Sequence, residues 1–368
     1  MAHIQKRDGR WQARYRDPSG KEHARRFDRK VDAERWLRGQ AVAVDKGTWI
    51  DPQHGRTTFA AWCEQWWATT PALRASTRAR DASYLRTHLV PAFGTLPLAA
   101  IDHMAVRTWV AELSAAGKAP ATVAKAFQIL SKIMEAAVDA KLIPSSPCHK
   151  VKLPRIEREE MRFLSPEEVA RLADAIHPRY RALVFVGAWS GLRIGELAGL
   201  KRERVDQLRR VIHVAEIVTE VQGHLVWGQP KTRAGRRTVP VPAPIMDELT
   251  AHLERYSAEE LVFTGPEGGA LRVNAWRRRF WNPAVAAAGL APLRPHDLRH
   301  TAVALWIASG SRELEVSRRA GHTSTSFTQD RYGHLFPSSE DEFAERLARL
   351  VVTTTMEATV APIRKAEA

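Results

Sequence analysis

Four short motifs in the C-terminal half of the chain hold side chains that could attack and stabilise an anionic ester. Trp189-Ser190-Gly191-Leu192-Arg193-Ile194-Gly195-Glu196-Leu197 puts Arg193 just after a Ser-Gly turn and Glu196 one helical turn later. Gln229-Pro230-Lys231-Thr232 is followed by Arg236-Arg237-Thr238-Val239-Pro240. Pro295-His296-Asp297-Leu298-Arg299-His300-Thr301 sets His296 and Arg299 at i and i+3, on one face of a helix. Gly321-His322 is followed, ten residues after the histidine, by Tyr332. A phosphodiester resists nucleophiles because its anionic oxygens repel them. Two permanently charged guanidiniums can clamp those oxygens and stabilise the extra charge of a pentacoordinate transition state. A phenol, with a pKa near 10, attacks at neutral pH only if it has a proton acceptor or a strongly positive surrounding.

Each residue also has a plainer reading. Arg193 lies in an apolar stretch and could form a structural ion pair. Glu196 reads as a group that orients Arg193 rather than as a proton carrier. Lys231 competes with Arg233 and could be a plain charge that contacts a polyanion. Tyr332 could be a core tyrosine. The chain has only five tyrosines, however, and this one lies in the polar run Asp330-Arg331-Tyr332-Gly333-His334. His300 and His334 read as supporting residues.

The four motifs are individually weak, but in this order and spacing they resemble the signature boxes of the tyrosine recombinase (phage integrase) family. The resemblance runs in domain order from residue 57 to about 337, and residues 1–56 resemble the added arm-binding domain of phage integrases. It implies a catalytic set of Arg193, Lys231, His296, Arg299, His322 and Tyr332, with Tyr332 as nucleophile. The two arginines would hold the phosphate, with His322 as a third donor. His296 would accept the phenolic proton, and Lys231, on a mobile hairpin, would protonate the departing 5′-hydroxyl. The product would be a 3′-phosphotyrosyl bond that a second 5′-hydroxyl attacks, so neither ATP nor a metal cofactor is required. It further implies four protomers acting on two duplexes through a Holliday junction, with a host architectural protein and a directionality factor as possible helpers.

The elements that must position these groups can be read from periodicity and charge. Arg and Lys number 56 against 41 acidic residues, a net +15 that points to a polyanionic partner such as double-stranded DNA. Residues 1–56 and 57–155 each carry +6, leaving +3 for the rest. Arg10, Gln12, Arg14 and Arg16 alternate with Trp11, Ala13 and Tyr15, the period of a half-buried strand with an arginine face, which makes Arg10, Arg14 and Arg16 candidate DNA contacts. Asp17-Pro18-Ser19-Gly20 reads as a turn, and Lys21 to Phe27 as a second strand. A helix follows with Ala33, Trp36, Leu37 and Val44 on one face.

Gly47–Arg56 reads as a linker. Helical patterns then cover 59–69, 76–89, 106–113 and 122–141, a compact bundle whose tryptophans belong to the core. Residues 151–164 form a proline-containing second linker, and Ser165-Pro166-Glu167-Glu168 starts a helix. Strands are expected at 211–214, 225–227 and 238–241. The reading is therefore a multidomain, mainly α protein. The resemblance assigns these parts as an α+β arm-type domain (1–56), a helical core-binding domain (57–150), a linker (151–164), a mixed but mostly helical catalytic domain (165–350) and a tail (351–368) that in similar recombinases packs on a neighbouring protomer.

Cys63 and Cys148 lie apart with no metal-ligand spacing, so zinc and disulfides are not expected. The start lacks an apolar h-region and no stretch is long enough to span a bilayer, so a cytoplasmic bacterial protein associated with the nucleoid and not the membrane is expected. Three rivals share parts of this pattern. A type IB topoisomerase uses similar chemistry but needs no arm domain. A chromosome-dimer or transposon recombinase shares the boxes. A catalytically inactive DNA-binding protein would not need all six residues.

Overall fold

The computed structural model describes residues 2–46, 49, 51, 54–70, 73–157, 161–230, 232–256, 260–336 and 347–348, and the chain divides into two compact units, 1–158 and 159–368. The expected tail, 351–368, lies outside the described residues, as does Lys231.

The first unit opens with an antiparallel sheet of three strands, His3–Arg7, Arg10–Arg16 and Glu22–Phe27, in that order. The sequence reading named the second and third of these strands but not the first. The tight turn at Asp8-Gly9, both with positive φ, separates the first two. The alternation along Arg10–Arg16 buries Ala13 and Tyr15 against the helix Lys30–Asp45, whose Trp36 ring meets Tyr15 edge-on at 5.3 Å. Cross-strand pairing puts Arg7, Arg10, Gln12, Arg14 and Arg26 together on the other face.

Helices Phe59–Thr69, His103–Ala115 and Pro120–Asp139 enclose a second core, with Trp62 and Trp109 buried in it. The indole of Trp62 donates to the Ile133 carbonyl at 3.0 Å. Both thiols are free and buried, and burial pushes Cys63 up to about 12 and Cys148 up to about 11. The helix that begins at Ala75 does not stop before Pro91. It passes through a wide turn at Leu85–Leu89 and continues as Val90–Phe93. A proline cannot donate to the preceding turn, and the wide turn, with Val90 N–H on the Leu85 carbonyl, lets the helix run through it.

The second unit is built around the apolar helix Arg181–Ser190, which packs against Pro166–Ala175, Ala243–Arg255 and Asp297–Ala308. Pro166–Ala175 starts where expected, at the N-cap Ser165, which forms a capping box with Glu168. Val205–Asp206, Val211–Val214 and Arg237–Pro240 form one small sheet, and Ile217–Val221 pairs with His224–Gly228 as a hairpin. The strand Ile217–Val221 was not read from the sequence because only Val218 in it is buried. Two short helices, Glu313–Ala320 and Thr325–Tyr332, complete the unit and carry the last motif.

Candidate active site

Two helix ends hold the arginines of the candidate site. Arg181–Ser190 ends at Gly191 in the left-handed conformation (φ 63°), and Glu313–Ala320 ends the same way at Gly321 (φ 64°). A Cβ would meet Trp306 at 2.7 Å at the first and the Ala234 carbonyl at 2.7 Å at the second, so both positions require glycine. These ends turn carbonyls toward the arginines. Arg299 donates to Gly191 O at 2.7 Å and to Ala320 O, and Arg193 donates to Gly321 O at 3.3 Å. Arg299 is thus a buried cation held by the negative ends of two helices. Burial first, then the charges of Arg193 and Arg237, push it down to about 9, still charged at neutral pH.

Arg193 is the N-cap residue of Ile194–Ala198, and its backbone N–H donates to Glu196 Oε2 at 2.9 Å while its guanidinium donates to Oε1 at 2.9 Å. The carboxylate is almost wholly buried (2 % exposed) and shared: Arg237 donates to both its oxygens, at 3.1 and 2.9 Å. Burial alone would raise the Glu196 pKa, but its bonds and charge pairing with Arg237 and Arg193 outweigh it and keep the carboxyl below its ordinary value. With Arg299 nearby as a third guanidinium, bonded to carbonyls rather than to Glu196, the single carboxylate leaves a surplus of positive charge, as an anion site needs. Glu196 is thus bonded both to Arg193 and to Arg237, which sequence reasoning quoted without a role. The signal was available: Arg237 lies two residues before the buried Val239, on the same strand face. Arg237 also donates to the Arg319 carbonyl at 2.6 Å, which ties its strand to the last motif.

An open pocket of about 270 Å³ lies here, lined among others by Arg193, Thr232, His322 and Phe327. His322 Nδ1 pairs with Thr328 Oγ1 at 2.8 Å, and the ring stacks parallel to Tyr332 at 6.3 Å. Burial, then Arg299, Arg193 and Arg237, push its pKa down to about 3, so the imidazole is neutral. Pro230 and Thr232, on either side of Lys231, line the same pocket.

Tyr332 ends the helix Thr325–Tyr332 and is buried (1 % exposed). Burial raises its pKa, against a downward pull from Arg299 and Arg331. The sequence reading gave its proton to His296. In the structure the group on the Tyr332 oxygen is His300, whose Nδ1 lies 2.6 Å away, and His296 meets His300 edge-on at 5.0 Å. The surrounding protein, then Arg299, lower the His296 pKa, although its ring still reaches the surface. His334, also read as supporting, lies 6.5 Å from the Phe163 ring.

The candidate DNA-contacting arginines share the open face of the N-terminal sheet. Arg10 pairs with Asp28 at 3.2 Å, Arg14 with Glu22 at 3.1 Å, and Arg16 donates to the Gly20 carbonyl at 3.0 Å. Among the described residues Asp17, His23 and Asp51 form a cluster dense enough to hold a metal, but Asp17 is already engaged by His23 at 2.9 Å and by Ser19 and Lys21. Among the described residues, no helix is long and apolar enough to cross a membrane.

Arg193 and His322 line the pocket, with Arg299, His300 and Tyr332 buried behind them, an arrangement suited to a DNA strand transferase of the site-specific recombinase class. The chain matches the Phage integrase family over residues 162–339, the N-terminal SAM-like domain of phage integrases over 58–114 and the phage integrase N-terminal domain over 4–46. It is 30% identical over 361 residues to the prophage phiRv2 integrase of Mycobacterium tuberculosis, covering 95% of each chain. Its fold is similar to that of the Tn1549 transposon integrase in complex with transposon right end DNA (TM-score 0.68, 18% identity, 79% of this chain and 100% of that one). It is also similar to the lambda integrase tetramer bound to a Holliday junction (TM-score 0.56, 18% identity, 87% and 92%). The protein belongs to the phage integrase family of tyrosine recombinases.

Proposed function

We propose that this recombinase cuts one DNA strand at a time with Tyr332 and rejoins it to a partner, integrating and excising a mobile DNA element. The phenolic oxygen forms a bond to the scissile phosphorus and the bond to the 5′-oxygen breaks, leaving a 3′-phosphotyrosyl link. Arg193 and Arg299 hold the phosphate oxygens with N–H groups that their carbonyl and carboxylate anchors leave over, since a guanidinium has five. His322 supplies a further donor, and Lys231 gives its proton to the departing 5′-oxygen, which leaves as a hydroxyl. The observation that carries this reading is the convergence of Arg193, Arg299 and His322 on two glycine-ended helices, with Tyr332 stacked on His322.

The arginines neutralise the charge that a metal would otherwise meet, and the covalent link conserves the energy of the broken bond, so neither metal nor ATP enters. The working assembly is four protomers on two duplexes, as the lambda integrase tetramer on its Holliday junction supports. Residues 1–56 bind accessory arm sites through Arg10, Arg14 and Arg16, residues 57–150 grip the core site, residues 165–350 catalyse, and 351–368 reach a neighbouring protomer. A host architectural protein and a directionality factor complete the assembly. The test is a nicked suicide substrate in excess EDTA, read on a denaturing gel. The whole protein should form a covalent adduct and Tyr332→Phe none, with DNA binding unchanged. An adduct from the Phe variant, or magnesium-dependent cleavage, would refute the assignment.

A further inference from the structure

We infer that His300 is a catalytic residue of this recombinase, receiving the phenolic proton of Tyr332 as the phosphotyrosyl bond forms. This rests on Tyr332 being the nucleophile. The geometry is direct: His300 Nδ1 lies 2.6 Å from the phenolic oxygen, and both side chains are buried, so no water competes for the bond. In the neutral tautomer with its hydrogen on Nε2, Nδ1 is an acceptor and the phenol donates to it.

The surroundings keep His300 in that state. Its ring is faced by His296 from the preceding loop, by Asp297 and Arg299 of its own helix, and by Arg331 and Tyr332 of the helix Thr325–Tyr332, with His322 close by. Burial, followed by the His296 and Arg331 charges, pushes the imidazole down to about 4, against a weaker upward pull from Asp297. It is therefore unprotonated and free to accept at neutral pH. His300 follows directly on Arg299, so the first turn of one helix presents the phosphate clamp and the proton acceptor together. That placement couples the two events.

The proton inventory balances. In cleavage the Tyr332 hydrogen passes to His300 Nδ1, the oxygen–phosphorus bond forms, and the 5′-oxygen leaves with a proton from Lys231. In rejoining, an incoming 5′-hydroxyl attacks phosphorus and gives its proton to Lys231. Tyr332 then departs and recovers its proton from His300.

The experiment measures the rate of covalent adduct formation on the suicide substrate from pH 6 to 9 for the whole protein, His300→Ala, His300→Asn and His296→Ala. General-base removal costs about 10²–10⁴-fold. His300→Ala should lose that much at pH 7 and regain roughly tenfold per pH unit as solvent hydroxide deprotonates the phenol. The whole protein should stay nearly flat above neutrality. His300→Asn, which can accept a hydrogen bond but hold no proton, should behave like the Ala variant. A loss of equal size at every pH would make His300 structural and overturn the inference, as would the rising profile appearing in His296→Ala instead. Nitrogen NMR on the folded whole protein and on Tyr332→Phe gives a reading that does not depend on the His300 variants. The His300 Nδ1 resonance should shift when the phenol is removed, and an unmoved resonance would overturn the contact. No adduct from the whole protein would overturn the recombinase mechanism itself, whereas a normal adduct with unaffected His300 variants would overturn this inference alone.

Discussion

Glu196→Gln tests how the arginine site is held together. The substitution keeps the shape of the side chain but removes its charge, and turns one oxygen into an amide that cannot accept from a guanidinium. The carboxylate accepts from Arg193 through one backbone and one side-chain N–H, and from Arg237 through two more, in a position with almost no water. Breaking a buried charge pair from one side costs about 3–5 kcal/mol, because the partner cations remain desolvated and unpaired. Gln retains one acceptor, so the expected loss is near the lower end, about 3 kcal/mol. For a unit of this size each kcal/mol lowers the midpoint by about 2–4 °C, so the catalytic unit should melt roughly 6–12 °C lower. The assay is calorimetry at pH 7, paired with Arg237→Gln and the double variant. The double variant should cost clearly less than the sum of the singles, because the second change removes a charge already left unpaired. A midpoint within about 2 °C of the unaltered protein, or strictly additive losses, would refute the shared-carboxylate reasoning.

Two further outcomes are expected. His300 and His322 lie at about 4 and 3 when folded, well below the ~6.5 of an unfolded histidine, so the stability they contribute is present above pH 6.5 and lost as pH falls toward 4. Glu196, also depressed, loses its share only below the unfolded carboxylate value of about 4.3, so a midpoint that drops between pH 6.5 and 5 reports the histidines, and a flat midpoint there would contradict their burial. Removing residues 1–56 should leave core-site cleavage intact and abolish integration at a full attachment site, while Arg14→Ala with Arg16→Ala should reduce the salt dependence of arm-site binding. Undiminished integration by the truncated chain, or an unchanged salt slope, would reduce the N-terminal sheet to a structural appendage.

Much of this protein is determined by its sequence. The alternation at Arg10–Arg16 dictates a strand with opposed faces, because side chains on a pleated strand point to opposite sides. Ser165-Pro166-Glu167-Glu168 dictates a helix start, because it supplies the acceptor and fixed φ that a first turn requires. Those are local effects, written within a few residues of each other. The order of the four boxes likewise names the family, and Arg193, Arg299, His322 and Tyr332 do meet around one site.

What tertiary structure decided is which groups touch. Arg237 and Arg193 are far apart in the chain, and only the folded strand brings both to Glu196. His296 and His300 stand one turn apart, and spacing could not choose between them. The choice came from the helix Thr325–Tyr332, which brings the phenol to the deeper histidine. Burial then set the charge state of His300, since a buried imidazole among arginines sheds its proton whatever its neighbours in sequence. Partner identity and desolvation are properties of the packed chain, which is why the chemistry was legible in the residues and its hydrogen bonds were not.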